Sequence, residues 1–471
     1  MCQCISILAR LVGLAAVVAT AGCRRGTPSP SPGEPSGTSA LAHVSVIDPG
    51  TGQVTPDMTV VVRDRVIQTV APSNALAAPA GAQVVDGSGK FVIPGLWDMH
   101  VHTLLDGGAW ALGQYIRHGI TGVRDMGGKF EAVDSLRRRV RSGQLAGPRI
   151  LAVGPMIENA DAMRYILDGA TPADSALAHG DRLLVSSPVD AVRAVDSLAR
   201  LGVDMIKARD FADVPTYWAI ANEARHVGRL FVGHPPPGVD PFALADSGQR
   251  SVEHWYYPNE LTKMPRATHD SLVAAYVKHR TAFTPTLRAW HQHRLTADTI
   301  ERELSAVRGD TRPRGARAAL LRQWEKDLQG RRTEIAGKPA TKAQLAGWDR
   351  ALDGLAKEIG RLAAAGVVIL AGSDIPFATY PGEALHDELR YLVVEAGLTP
   401  HQALAAATIA PVQFAGMQDS LGTIARGKIA DLVLLDANPL TDIDNVRRID
   451  AVMRDGRWVW RRGQTRPTET R

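Results

Sequence analysis

Short apolar runs broken by turn residues open the body of the chain. "HVSVID", "MTVVVRD", "VIQTVA" and "AQVVDG" are rich in β-branched residues and are separated by Gly, Pro, Asp and Asn, the composition of strands joined by tight turns. Runs of the same kind return only at the far end, in "KIADLVLLD", "IDAVMRDG" and "RWVWRRG". Between the ends the pattern changes. "FVIPGLWDMHVH", "ITGVRD", "RILAVG", "DMIKAR", "RLFVGH", "RSVEH", "TAFTPTL" and "VVILAGSD" read as strands, and helix-length stretches such as "PVDAVRAVDSLARLG" and "VPTYWAIANEARHVG" lie between several of them. Eight strands with intervening helices over this length predict an α/β fold, a (β/α)8 TIM barrel over residues 93–420. The terminal strands, in 40–92 and 421–465, then combine into one small β-domain. A doubly wound open sheet is the alternative, but no Gly-rich dinucleotide fingerprint supports it.

Two segments depart from this rhythm. Residues 288–366, rich in Arg, Ala, Leu and Glu, predict several inserted helices where one connection would do; a lid over the barrel and a packing or partner surface are equal readings. At the start, Arg10 precedes the apolar "LVGLAAVVAT", which has the length of a signal peptide and is short for a membrane span. "TAGC" follows and resembles the lipobox of bacterial lipoproteins, although Thr20 stands where Leu is usual. The resemblance implies a signal peptide over 1–22, cleavage before Cys23 and lipidation there. The protein is then exported and lipid-anchored to a membrane, at the periplasmic face or the cell surface. A Pro/Ser-rich tether over 23–39 fits that reading, since it lacks the apolar residues of a core.

Composition narrows the chemistry. With 471 residues, 45% of them hydrophobic and 22% charged, the chain suits a globular protein with a sizeable core. The net charge of +5 comes from basic residues interleaved with acidic ones, as in "EKDLQGRRTEIAGK", which speaks against nucleic acid as a partner. All three cysteines, Cys2, Cys4 and Cys23, precede the body of the chain, so the body has neither a disulfide framework nor a thiolate metal site.

The chemistry-bearing residues gather at strand ends. His100 and His102 are two apart in "VIPGLWDMHVHT" and point to one face of a strand. Buried imidazoles need partners, and a shared metal ion is one. Asp98 lies on the same face, either as an acceptor orienting an imidazole or as a buried capping group. Lys207, His234, His254 and Asp374 end four other apolar runs. In a TIM barrel these ends converge on the catalytic face. Taken singly, each has a plain structural reading, a hydrogen-bonded His or a Lys reaching solvent. Six at one rim point to metal.

"PGLWDMHVH", "GITGVRDMGG", "GPRILAVGPMI", "GVDMIKAR", "GHPPPGV", "SVEH", "AGSD" and "GTIARGKIADLVLLDANPL" occur in order from about Leu41 to Gly463. The set resembles the amidohydrolase superfamily, within it the imidazolonepropionase-like and Xaa-Pro-dipeptidase-like hydrolases. The resemblance implies a site for two divalent metal ions. His100, His102 and Asp374 would hold the first, His234 and His254 the second, and Lys207 would bridge them as a carbamate. An ammonium beside two dications loses its proton, and the neutral amine can then add carbon dioxide. An unmodified Lys207 implies a single ion. Zn²⁺ suits nitrogen and oxygen donors, with Mn²⁺ and Co²⁺ open by ligand type.

The reaction implied is hydrolysis of a C–N bond, amide or dipeptide-like, by metal-activated hydroxide, with no Ser or Cys nucleophile. Water on such a cation ionises near pH 7, its pKa falling from about 15.7 to about 7 in the known zinc case. Asp374 would accept the proton and pass it to the leaving nitrogen. Two alternatives are a hydrolase or deaminase acting on a cyclic amide, lactone or phosphoester, and a lipid-anchored binding protein without catalysis. The loop from Glu158 to Arg182 lacks the Gly-Gly-His common in related proteins and should line the entrance. Arg164 or Arg182 can meet a substrate carboxylate, and Tyr256 or Tyr257 can hydrogen-bond substrate. His291 and His293 read as the start of the inserted helices, with no metal assigned. The expected partners are a small-molecule substrate and, through the anchor, a membrane; a homo-oligomer is open.

Overall fold

The computed structural model describes residues 37–463, except 162, 164–179, 210–212, 235–238, 255–263, 292–300, 303–304, 306–320, 323, 327, 330–331, 333–340 and 375–378. Five strands come first: β1 (Thr38–Asp48), β2 (Gln53–Arg63), β3 (Val66–Pro72), β4 (Gln83–Asp86) and β5 (Phe91–Pro94). Nine follow in the middle of the chain: β6 (Leu96–Val101), β7 (Ile120–Asp125), β8 (Arg149–Ala152), β9 (Met156–Asn159), β10 (Arg182–Val185), β11 (Met205–Arg209), β12 (Leu230–Gly233), β13 (Gln249–Glu253) and β14 (Ala282–Thr284). The last three are β15 (Leu432–Leu435), β16 (Ile449–Arg454) and β17 (Arg457–Arg461).

Both ends of the chain build one sheet, in the order β17-β16-β15-β5-β1-β2-β3 with β4 against β1. The join is the antiparallel pairing of β5 with β15, from Phe91 opposite Leu435 to Pro94 opposite Leu432. Alternating residues such as Leu41, Val44, Val60, Leu432 and Leu434 bury one face, which is what the period-2 pattern of these runs requires. β1 takes in the last two residues, 38 and 39, of the tether expected over 23–39. Thr38 and Ser39 pair with Arg63 and Val62, and this backbone pairing extends the strand upstream of its apolar run.

The barrel follows the order of the eight apolar runs. β6, β7 and β8 pair in parallel, as do β11, β12, β13 and β14. Isolated backbone bonds, outside any ladder, complete the ring. Asp204 N donates to Ala152 O (2.8 Å), Leu370 N to Phe283 O (2.8 Å) and Met99 N to Ala371 O (2.9 Å). The eighth stave, around Val368–Ala371, is thus extended backbone with no ladder of its own. Gly372 lets it close, because a Cβ there would lie 2.9 Å from both the Cβ and the amide nitrogen of His100. The pair β9–β10 is an addition that the apolar runs do not announce. It meets β11 only at Ala208 and Arg209, so it extends the sheet past the barrel's C-terminal rim.

Helices cover the barrel as their sequences direct. Pro188–Leu201 starts at Ser187, whose hydroxyl accepts from Asp190 N, and stops at Gly202 with φ 85°. Its buried Ala191, Ala194, Val195 and Leu198 keep the spacing of one helical face. In the inserted region the described helices include Leu287–His291 and Lys342–Ala364. Trp324 packs edge-on to Tyr380 (5.2 Å between ring centres), and Tyr380 lies 6.2 Å from Trp110. This joins the insertion to the segment that follows Asp374. Among the described residues no helix is long and apolar enough to cross a membrane.

Candidate metal centre

Three ligand-bearing residues meet at the mouth of the barrel. His100 lies in β6, His102 just beyond it, and Asp374 just beyond the eighth stave. One ligand atom from each of the three lies within 4.8 Å of the others. Asp374 Oδ1 is 3.8 Å from His100 Nε2 and 3.6 Å from His102 Nε2, and Asp374 Oδ2 is 3.5 Å from His254 Nε2. These separations exceed a hydrogen bond and leave room for a cation between the donors. The His234 and His254 rings lie 5.1 Å apart, edge to face.

Each aimed nitrogen is set by its opposite number. His102 Nδ1 donates to Gly127 O at 3.0 Å, so Nε2 keeps its lone pair. His254 Nδ1 pairs with the Thr286 hydroxyl at 2.6 Å. His100 Nδ1 lies 3.0 Å from Glu253 Oε2, deep in the interior. His100 Nε2 is buried with no hydrogen-bond partner among the described residues. A neutral nitrogen left this way is costly unless something absent from the protein itself completes it. The donor set of imidazole nitrogens and carboxylate oxygen fits a divalent transition ion.

The backbone is bent to make this geometry. His254 (φ 56°), Thr286 (φ 49°) and Asp374 (φ 39°) all adopt the left-handed region. For a β-branched or bulky residue that conformation costs on the order of 1–3 kcal/mol. Gly233, just before His234, has φ 146°, and a Cβ there would lie 2.0 Å from Ala208 O. Glycine is what allows β12 to approach β11 at the rim.

The site's charges act on one another. Burial alone would raise the Asp374 carboxyl, but His100, His254, His102 and Lys207 together hold it well below the usual carboxylate range. Lys207, nearly inaccessible in β11, is pushed down to about 8 by burial, with Arg209 and Arg124 lowering it further and Glu253 and Asp374 opposing. A sizeable fraction of neutral amine near physiological pH follows. Asp98 accepts from the backbone of His100 (3.2 Å) and Ser373 (2.9 Å) and from the Ser373 hydroxyl (2.6 Å). Among the described residues it bonds backbone amides and a hydroxyl but no imidazole, and burial pushes its carboxyl up to about 7.

Other expected residues fall elsewhere. Arg182 begins β10, with Nε 3.6 Å from Glu158 Oε2; Arg209 Nη1 reaches the same oxygen at 3.5 Å. His291 bonds Glu395 at 2.9 Å and stacks on Tyr391. Cys23, Arg164, Tyr256, Tyr257 and His293 lie outside the described residues. Arg124, Glu253, Thr286 and Arg209 were not anticipated. The one signal available for Arg124 was a charged residue inside the apolar run "ITGVRD".

The amidohydrolase family model matches residues 255–459. A dihydroorotase of Trichlorobacter lovleyi is 46% identical over 57 residues, 12% of this chain and 13% of that protein. The chain thus spans about an eighth of the length of that curated relative. Two solved structures extend the likeness. A Bifidobacterium longum protein assigned as a prolidase is 26% identical, with 92% of this chain and 97% of that one covered at a TM-score of 0.67. A Xaa-Pro dipeptidase with methionine in its active site is 20% identical, over 89% and 99% of the two chains, also at 0.67; at that identity it speaks for the fold alone.

Proposed function

We propose that the chain, which the amidohydrolase family model matches over residues 255–459, is a metal-dependent hydrolase of a small amide or dipeptide-like substrate. The observation that carries this reading is His100 Nε2, buried and without a hydrogen-bond partner among the described residues, facing the same space as His102 Nε2 and Asp374. Divalent ions, zinc by donor type, would be held by His100, His102 and Asp374, with His234, His254 and Lys207 completing a second position. When bound, such ions supply an ionised water at neutral pH and polarise a carbonyl.

The chain's own residues do the rest. Asp374 is an ionised carboxylate within 4 Å of three imidazoles. It takes the proton of the attacking water on a carboxylate oxygen and returns it to the leaving nitrogen. Lys207 in its neutral form would add carbon dioxide and lose a proton, giving a carbamate anion whose oxygens would serve as ligands for the ions. At the rim, Arg182 and Arg209 converge on the buried Glu158, with Asp181 beside Arg182. Guanidinium groups so held offer planar recognition of a substrate carboxylate. The 26% identity to the Bifidobacterium longum protein assigned as a prolidase supports the same substrate class, a dipeptide or N-acyl amino acid with a free carboxylate. Lipidation at Cys23 would hold the exported enzyme at a membrane; Cys23→Ser should release it into the soluble fraction.

The deciding experiment compares wild type with His100→Ala/His102→Ala. Metal content and hydrolysis should fall together to background in the folded double variant. Full activity in a metal-free double variant would sink the assignment. A panel of N-acyl amino acids, their carboxamides, Xaa-Pro dipeptides, cyclic amides, lactones and phosphotriesters then identifies the bond. Preference for the carboxamides over the acids would overturn the carboxylate subsite.

A further inference from the structure

The imidazoles of His100, His102 and His254 are held through Nδ1 by three different kinds of partner. For His102 it is a carbonyl and for His254 a hydroxyl. For His100 it is the carboxylate of Glu253, and both groups are completely buried. Glu253 does not stand alone. Its Oε2 accepts from Arg124 Nη2 at 2.7 Å, and its Oε1 accepts from the Ser251 hydroxyl. Because Oε2 is already an acceptor, the Nδ1 of His100 is the donor in their 3.0 Å bond, and Nε2 is left with its lone pair toward Asp374.

Arg124 is an unusual residue to find here. It projects from β7 and is fully buried. Its Nε donates to Met99 O (2.6 Å), Nη1 to the Ser251 hydroxyl (2.9 Å), and Nη2 also to the Thr284 hydroxyl (3.0 Å). One guanidinium therefore ties β7 to β6, β13 and β14 across the barrel interior. As a source of stability such a pair is a poor choice, because well-packed apolar residues of similar volume often serve equally well or better. What an apolar pair cannot do is hold one tautomer of an imidazole, and a carboxylate on Nδ1 also raises the basicity of Nε2.

Resting on the metal reading of the site, we propose that Glu253 and Arg124 are positioning residues. Glu253 fixes the tautomer and direction of His100 and makes it a stronger ligand than His102 or His254, and Arg124 holds the Glu253 carboxylate in place.

Cobalt binding to the metal-stripped full-length protein tests this, read by its visible absorption band and by stoichiometry, with thermal melting as the check on folding. Two neutral backgrounds are compared. Arg124→Met/Glu253→Gln keeps an acceptor for His100 Nδ1, and Arg124→Met/Glu253→Ala removes it. Both variants should bind Co²⁺ more weakly than wild type, since the carboxylate charge and its guanidinium support are gone. The Ala variant, which also lacks the acceptor, should be the weaker of the two, about 10–100-fold below wild type, with a shifted band. Equal affinity and equal bands in the two variants overturn the proposal while leaving the metal centre standing. Wild type that takes up no cobalt overturns both. Should the Ala variant fail to fold, Glu253→Asp, which keeps the charge but withdraws the acceptor, should show the same weakening, and wild-type affinity in it overturns the proposal.

Discussion

In the outer sheet the interior is apolar, with Leu41, Val60, Ile67, Leu434 and Met453 at most 3% exposed. Its ions sit at the edge, where Lys90 meets Asp450 and Arg462 meets Asp436 with side chains 23–52% exposed. At the barrel mouth the order is reversed: Arg124, Glu253, Lys207, His100 and Asp98 are at most 1% exposed. The backbone beside them turns left-handed at three residues that are not glycine. The sheet follows the rule that apolar burial stabilises and that charge stays wet. The mouth breaks that rule where desolvation and strain serve binding and chemistry. Arg149, at the start of β8 and so at the end of the barrel away from the mouth, bonds Asp431 and Asp455 and ties the barrel to the sheet.

Substitutions in the two regions should therefore separate function from stability. The largest effect is expected at Asp374→Asn. Loss of a general base should lower kcat about 10²–10⁴-fold, far out of proportion to any fall in melting temperature from losing the favourable charges around Asp374; a variant that loses stability in proportion to activity would erase the contrast. Leu434→Ala should do the opposite, lowering unfolding free energy by about 2–5 kcal/mol in denaturant titrations while cobalt uptake stays at the wild-type level.

Glu388 sharpens the comparison through pH. Burial pushes its carboxyl up to about 8 from the ordinary 4.5, against the lowering effect of the Arg288 and Leu287 amides. The folded state then binds this proton more tightly than the unfolded state, so stability falls as pH rises from about 4.5 to about 8. The slope is at most about 1.4 kcal/mol per pH unit. Glu388→Gln, which cannot ionise, should flatten it, and melting curves with an unchanged slope would count against the buried carboxyl. The smallest effect belongs to the sheet edge: Lys90→Ala should shift stability by less than about 1 kcal/mol, and a larger loss would show that edge ions matter more than their exposure suggests.

Much of this was legible beforehand because the signals are local. The apolar runs and their helix-length spacers locate the eight staves, and the strand-like runs at both ends locate the composite sheet. His100, His102 and Asp374 could be placed at strand exits from the runs that precede them. Arg124 and Glu253 were not legible as partners, since each reads as an ordinary charge next to a turn. The β9–β10 pair escaped notice because four-residue strands carry little periodicity, and the eighth stave is held by bonds to neighbours instead of by its own ladder.

By itself, then, the sequence determined the kind and order of the barrel staves and of the terminal strands, and which of them end in a metal-capable side chain. Hydrophobic periodicity is a property of neighbouring residues, so a linear reading can recover it. Tertiary structure alone decided which nitrogen of each imidazole faces the centre. The partners that decide it, Gly127, Thr286 and Glu253, lie 25, 32 and 153 residues from the histidines they hold. A hydrogen bond across that separation exists only once the barrel has closed.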